Sequence, residues 1–405
     1  MLDQDLTRAS LSPADRALCQ ELCYGVVRWQ AALDWLIERK TGGRKQHSQL
    51  QILLRLGLYQ LFWLTRIPDH AAVHESVQLA KDLGFGPQAG FVNALLRGYT
   101  REKDATRLAL DELKLTEQPI GHSHPEWLIE RWQQRWNESD TNRLLEWNNS
   151  PPPTFARLNT VKTNTEKLLE RWRDEKVESE LGQWEWTAAS PVFQLKSHPP
   201  LVSLGSFRDG WFYLQDPSTL LAVHVLDPQP GESVLDLCAA PGGKTTLIAA
   251  RMKNEGRLIA ADASSPRLRL IHDNCTRLGA SCVKTVVASR LDPKSEIFDR
   301  ILIDAPCSNS GVMRRRVDLR WRIDPSEFAP LAEKQFHLLQ QAALHLNPAG
   351  VLVYSTCSLE PEENGAVVKR FLAAQPGFTL ESERELLPFK DGVDGAYVAR
   401  LRRHA

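Results

Sequence analysis

Glu232-Ser-Val-Leu-Asp-Leu-Cys238-Ala-Ala-Pro-Gly-Gly-Lys-Thr245 decides the fold. Its first half is a short, mostly apolar run that reads as a buried strand. Its second half is a turn of small residues with two glycines, followed by a helix over Lys244 to Lys253. Bare backbone at the start of a helix lets a ligand approach closely. Beyond this stretch the alternation repeats: strand Arg257 to Asp262, helix Ser265 to Leu278, strand Lys284 to Ala288 and strand Phe298 to Asp304. Helix Phe328 to Leu346 and strand Gly350 to Thr356 complete it. Strands separated by helices predict a parallel, doubly wound sheet whose ligands bind at the strands' carboxyl ends.

The glycine turn is not a phosphate loop. A Walker A motif needs Gly five residues before Gly243, and that position is Cys238. A nicotinamide fingerprint needs Gly-x-Gly-x-x-Gly, which is absent. Asp262 ends the second strand about twenty residues on, where a carboxylate accepts hydrogen bonds from ribose hydroxyls. Alone it reads equally as a cap for the helix after Ala263-Ser264-Ser265-Pro266. With the glycine turn before it, a nucleoside ligand is the better reading.

Upstream the pattern is different. Residues 14–103 read as helices, with Leu18, Leu22, Val26 and Trp29 at helical spacing, then Leu50, Leu53, Leu54, Leu58, Leu61 and Phe62. Gly84 to Pro87 breaks one helix before Ala89 to Tyr99 forms another. Arg101 to Glu117 is charged and weakly patterned, which predicts a connector. His124-Pro125 opens a further helix, and Trp127, Trp132 and Trp136 in it read as core. His122 and His124 read as structural. After the stiff Pro151-Pro152-Pro153 break, short strands around a helix at Asn164 to Lys176 predict a small α+β domain. The expected organisation is an all-α domain with connector over 1–119, an α+β domain over 120–210 and the doubly wound domain over 211–405.

Composition narrows the function. Lys+Arg and Asp+Glu each number 50 in 405 residues, so bulk charge does not drive any nucleic-acid binding, and such a site has to be a local surface. No apolar run nears the eighteen residues of a membrane span, and Met1-Leu2-Asp3-Gln4-Asp5 does not begin a signal peptide. Seven Cys without a CxxC pair argue against a disulfide framework or zinc knuckle and predict reduced thiols, a cytoplasmic setting and no metal.

The fourth and fifth strands run into Asp304-Ala-Pro-Cys307-Ser308-Asn-Ser-Gly311 and Ser355-Thr356-Cys357-Ser358. In a doubly wound sheet these strands are commonly neighbours, roughly 4.8 Å apart, so Cys307 and Cys357 are expected to face one crevice. A single Cys is usually a small buried hydrophobe, which suffices for Cys19, Cys23, Cys275 and Cys282. Two thiols at ligand-binding strand ends, one beside a carboxylate, ask for more.

These residues carry a resemblance. Asp-Leu-Cys-Ala-Ala-Pro-Gly-Gly-Lys-Thr, Asp-Ala-Pro-Cys-Ser, and Thr-Cys-Ser followed by Pro361-Glu362-Glu363-Asn364 resemble the NOL1/NOP2/Sun family of RNA cytosine-C5 methyltransferases. Gln215-Asp216-Pro-Ser218 and Arg157-Leu-Asn159 extend the match. Gln20 to Arg28 and Val92 to Arg97 resemble the NusB-like RNA-binding domain of the bacterial Sun type. The resemblance implies a Rossmann-like domain using S-adenosyl-L-methionine, with small-subunit ribosomal RNA as substrate and a monomeric enzyme. It implies a cofactor site at Cys238, Ala239, Ala240, Pro241, Gly242, Gly243, Lys244, Asp262 and Asp304. It makes Cys357 the nucleophile at cytosine C6 and Cys307 the group that assists its release. Asp304 contacts the base, and Lys244 orients Asp304 or lowers a thiol pKa. Reaching C5 and C6 from both faces requires a single-stranded or flipped cytosine.

Two features depart from the family. The Asp expected after the third strand is replaced by Ala288, with Asp292 the nearest carboxylate, which predicts weaker cofactor affinity. The chain also starts just before the Leu18 to Trp29 helix, where the family has an earlier one, so the domain is trimmed or the start is late. A non-catalytic RNA-binding assembly factor is the rival reading, and a DNA cytosine methyltransferase a weaker one. Arg314, Arg315, Arg316, Arg320 and Arg322, clustered around Trp321, are the expected RNA contacts, against the plainer reading of a solvated charge run.

Overall fold

The computed structural model describes Leu6 and residues 11–405, so the opening Met1 to Asp5 lies outside the described residues. The chain forms two compact units, residues 1–151 with Met313–Arg322, and residues 152–312 with 323–405.

The first unit is helical. Ser12 caps its first long described helix, Pro13–Arg28, by accepting from the Asp15 amide, and Pro13 occupies a position where no donor is needed. Helices Gln30–Thr41, Ser48–Trp63, Asp69–Asp82 and Ala89–Arg101 follow. Leu33, Leu36, Leu54, Leu58, Val92 and Leu96 meet in one core, where Leu→Ala changes cost about 2–5 kcal/mol.

One expectation fails in this unit. The Arg101 to Glu117 connector is a helix, Lys103–Thr116. It buries Thr106 and Leu113 seven residues apart but exposes Leu108 and Leu115, and those outward leucines blur its periodicity. Helices Glu126–Arg135 and Glu138–Asn149 pack with the helical unit, which runs to Pro151. His122 and His124 are buried, as is Trp132. His124 Nδ1 lies 2.7 Å from the His122 carbonyl, and burial lowers the pKa of both rings, that of His122 to about 4.

The second unit opens with a four-stranded antiparallel sheet of order β2-β3-β1-β4. Its strands are β1 Thr154–Leu158, β2 Glu178–Leu181, β3 Val192–Ser197 and β4 Phe212–Leu214. Asn164 caps helix Thr165–Asp174, whose Trp172 stacks edge-on to Phe193 and Phe212 in the core.

A seven-stranded sheet follows, built from β5 Ser233–Leu237, β6 Arg257–Asp262, β7 Val283–Val287, β8 Phe298–Asp304, β9 Leu346–Thr356, β10 Phe378–Leu386 and β11 Ala396–Arg403. The order is β10-β11-β9-β8-β5-β6-β7, with β5 to β9 parallel and β10 and β11 antiparallel. The doubly wound expectation holds. The last two strands extend it, and β10 is hard to read from sequence because it exposes most of its length. From β5 the chain moves outward to β6 and β7, then returns to β8 on the other side. The switch point therefore lies between β5 and β8, where such sheets bind ligands. No helix of the described residues is long and apolar enough to cross a membrane.

Candidate active site

The turn from β5 into helix Gly243–Arg251 carries Cys238, Ala239, Ala240, Pro241, Gly242, Gly243 and Lys244 at the switch point. Gly242 has φ +100, which L side chains rarely adopt, and a Cβ on Gly243 would lie 2.9 Å from Tyr213. The turn is thus bare backbone by necessity. Asp262 fixes it from β6, its carboxylate accepting from the Ala240 amide at 3.2 Å and the Ser264 amide at 3.0 Å. Arg157 braces the far side, donating to Gln215 Oε1 at 2.6 Å, the Gly243 carbonyl at 2.8 Å and Thr246 Oγ1 at 3.0 Å.

Across the switch point, Lys244 Nζ lies 2.7 Å from Asp304 Oδ2, and Ser355 donates to Asp304 Oδ1 at 3.0 Å. Burial pulls the Lys244 pKa down, but the charge and hydrogen bond of Asp304 outweigh it, and the ammonium is held above its usual range. Asp236, fully buried beneath the turn, is pushed up to about 7 by burial, against the pull of its 2.6 Å hydrogen bond from Thr245.

Parallel pairing places Asp304 opposite Ser355, so the loops that leave β8 and β9 run together. Cys307 Sγ lies 3.4 Å from Cys357 Sγ, and all seven cysteines are free thiols. At that spacing two thiolates would repel strongly, so at most one sulfur is ionised. The hydrogen bond with Cys357, burial, and the nearby charges of Cys357 and Glu363 push Cys307 well above the usual thiol range. Asn309, at φ +63, accepts from the Cys357 thiol at 3.2 Å and donates to the Cys307 carbonyl at 2.7 Å. Gly311 packs where a Cβ would meet the Cys357 carbonyl at 2.8 Å, and its amide donates to that carbonyl. Cys238 is a different thiol: burial and the charges of Asp304, Asp262 and Asp236 push it up to about 12, which disfavours a nucleophilic role.

Structure thus gathers Cys238 to Lys244, Asp262, Asp304, Cys307 and Cys357 at the carboxyl ends of β5, β6, β8 and β9. Ala288 begins the turn after β7, and Asp292 spends its carboxylate on the Lys294 amide and Ser295 hydroxyl. The arginine run needs correction. Arg320 is fully buried within the helical unit, donating to Asn149 Oδ1 at 2.7 Å and to the carbonyls of Asn148, Arg28 and Ser123. Arg314 is buried over the Trp147 ring at 3.7 Å. These two guanidiniums are structural, because carbonyl dipoles and an aromatic face replace their water. Arg316 and Arg322 are exposed, Arg322 pairing with Asp318 at 2.8 Å, and Arg315 is half-buried.

Arg157, Asn309 and Glu363 join the site as well; Arg157 and Glu363 lie in stretches that carry the family resemblance, but sequence holds no sign of their burial or hydrogen-bond partners.

A Rossmann-like sheet with this strand-end site defines a methyltransferase class. Residues 223–402 match the model of the 16S rRNA methyltransferase RsmB/F family, residues 1–101 that of the NusB family, and residues 124–188 the RsmF/B-like ferredoxin-like domain. A ribosomal RNA small subunit methyltransferase B of Klebsiella pneumoniae is 36% identical, over 96% of this chain and 91% of that one. A probable enzyme of the same description from Synechocystis is 35% identical, over 99% and 94%. The crystal structure of a methyltransferase homolog protein from Pyrococcus horikoshii superposes with a TM-score of 0.62 at 29% identity, over 71% of this chain and 98% of that one. The chain belongs to the ribosomal RNA small subunit methyltransferase B family, and is an S-adenosyl-L-methionine-dependent rRNA methyltransferase.

Proposed function

We propose that the chain methylates C5 of a cytosine in 16S rRNA through a covalent bond between Cys357 and C6. The observation that carries this reading is the pairing of Cys307 and Cys357 at 3.4 Å, beside the Lys244–Asp304 ion pair. Cytosine C5 is too weak a nucleophile to take a methyl group unaided. Addition of the Cys357 thiolate at C6 moves an electron pair toward C5, and Asp304 supports protonation at N3. S-adenosylmethionine supplies an electrophilic methyl group when bound. Once C5 carries the methyl, its proton passes to water, the C5–C6 double bond re-forms and Cys357 leaves as thiolate. The neighbouring S–H of Cys307 hydrogen-bonds that departing sulfur and assists release.

The residues at the switch point fit the cofactor: bare backbone from Cys238 to Lys244 admits it closely, Asp262 offers hydroxyl acceptors, and Asp304 borders both cofactor and base. Ala288 removes one contact with the adenine. A base reached from both faces is single-stranded or flipped, and Arg315, Arg316 and Arg322 remain candidates for phosphate contacts.

Bisulfite sequencing of 16S rRNA, with and without this gene in the source cells, tests the reading. One protected cytosine that disappears with the gene is the expected result. An unchanged pattern would remove 16S cytosine C5 as the target.

A further inference from the structure

Glu363 is fully buried, and its carboxylate accepts from three donors. The Ser308 amide donates at 2.8 Å and Gln335 Nε2 at 3.1 Å to one oxygen, and the Ser358 hydroxyl at 2.8 Å to the other. Ser308 follows Cys307 directly, and Ser358 follows Cys357. The two serine hydroxyls lie 3.1 Å apart, and Tyr354 fixes the Glu363 backbone by donating to its carbonyl at 2.6 Å. One carboxylate therefore ties together both loops that carry the thiols. A buried carboxylate is a costly tether, since its desolvation has to be offset by charge-assisted hydrogen bonds. A neutral amide or a close-packed apolar pair would hold two loops at lower cost.

We propose that Glu363 is a positioning residue that sets the spacing of Cys307 and Cys357 and makes the two thiols unequal. Its role rests on the proposed assignment of Cys357 as nucleophile and Cys307 as helper. The carboxylate is one of the charges that oppose ionisation of Cys307, so removing it favours ionisation of the wrong thiol. The titratable groups around the thiol pair are Glu363, Tyr354, Lys244 and Asp304. Of these four, Glu363 is the one that hydrogen-bonds to both loops.

The test compares the full-length wild type with Glu363→Gln and Ser358→Ala. Peptide mass spectrometry follows iodoacetamide labelling of Cys307 against pH, and diamide oxidation measures the rate of Cys307–Cys357 disulfide formation. In Glu363→Gln, the labelling profile of Cys307 is expected to shift to lower pH, with the S-adenosylmethionine Kd unchanged within about twofold. Methyl transfer at saturating cofactor should fall at least about tenfold, because the helper thiol is no longer reserved. Ser358→Ala keeps the charge but loosens one tether, so labelling should hold its pH profile while diamide closure slows about fivefold. An unshifted Cys307 profile in a Glu363→Gln protein that binds cofactor overturns the proposal. Should that variant fail to fold, wild-type closure rates in Ser358→Ala overturn it instead. Labelling and closure need no RNA, so a wild type that methylates no cytosine counts against the cytosine reading alone.

Discussion

Lys244 Nζ sits 2.7 Å from Asp304 Oδ2, joining the first residue turn of the cofactor helix to the end of the neighbouring strand β8. The pair closes the switch point from both sides, and its disruption has two readable consequences. Lys244→Met should lower kcat about a hundredfold and destabilise the protein by about 1–2 kcal/mol. That is less than a fully buried pair, because Asp304 is about a third exposed. The lysine pKa is raised in the fold, so the pair's contribution is complete below about pH 10.4 and lost as pH rises further. Urea unfolding from pH 7 to 11 should show that alkaline loss in the wild type and not in Lys244→Met.

The arginine run divides into structural and exposed members. Arg320→Ala removes a buried guanidinium with four backbone and side-chain acceptors and should cost about 3–5 kcal/mol in denaturant unfolding. Arg316→Ala, at an exposed position, should change stability by less than about 0.5 kcal/mol. It should instead weaken RNA binding and reduce the slope of log Kd against log salt by about one. Equal stability losses in the two variants would contradict this division.

Asp236 lies under the cofactor turn with a pKa raised to about 7. For an acid raised in the fold, the native state holds its proton where the unfolded chain has released it. Stability from this group is therefore full below about pH 3.9 and declines as pH rises to about 7. Asp236→Asn imitates the protonated form and should remove that dependence, gaining up to about 4 kcal/mol above pH 7. Thermal unfolding of both proteins at pH 5 and pH 8 tests this. A Tm difference between them that is the same at both pH values would contradict it.

Much of this was legible in the sequence because apolar strands between helices leave a strong pattern. β6, β8 and helix Ser265–Leu278 have the expected bounds, and the strand pairing that brings Cys307 to Cys357 follows from the doubly wound order. What escaped was burial of polar groups. The charges of Arg320 and Glu363 are visible in sequence, while the carbonyls, hydroxyls and amides that replace water around them are not. The helix Lys103–Thr116 escaped for the converse reason, having apolar residues on its outer face.

In the proposed reaction Cys357 bonds to the base and Cys307 releases it. Incubating 16S rRNA and S-adenosylmethionine with wild type, Cys307→Ala and Cys357→Ala, followed by denaturing gels, separates the two roles. The expected result is a protein–RNA band that persists in Cys307→Ala and is absent in Cys357→Ala, with no methylation in the latter. Equal loss of methylation in both variants with no adduct in either would contradict it.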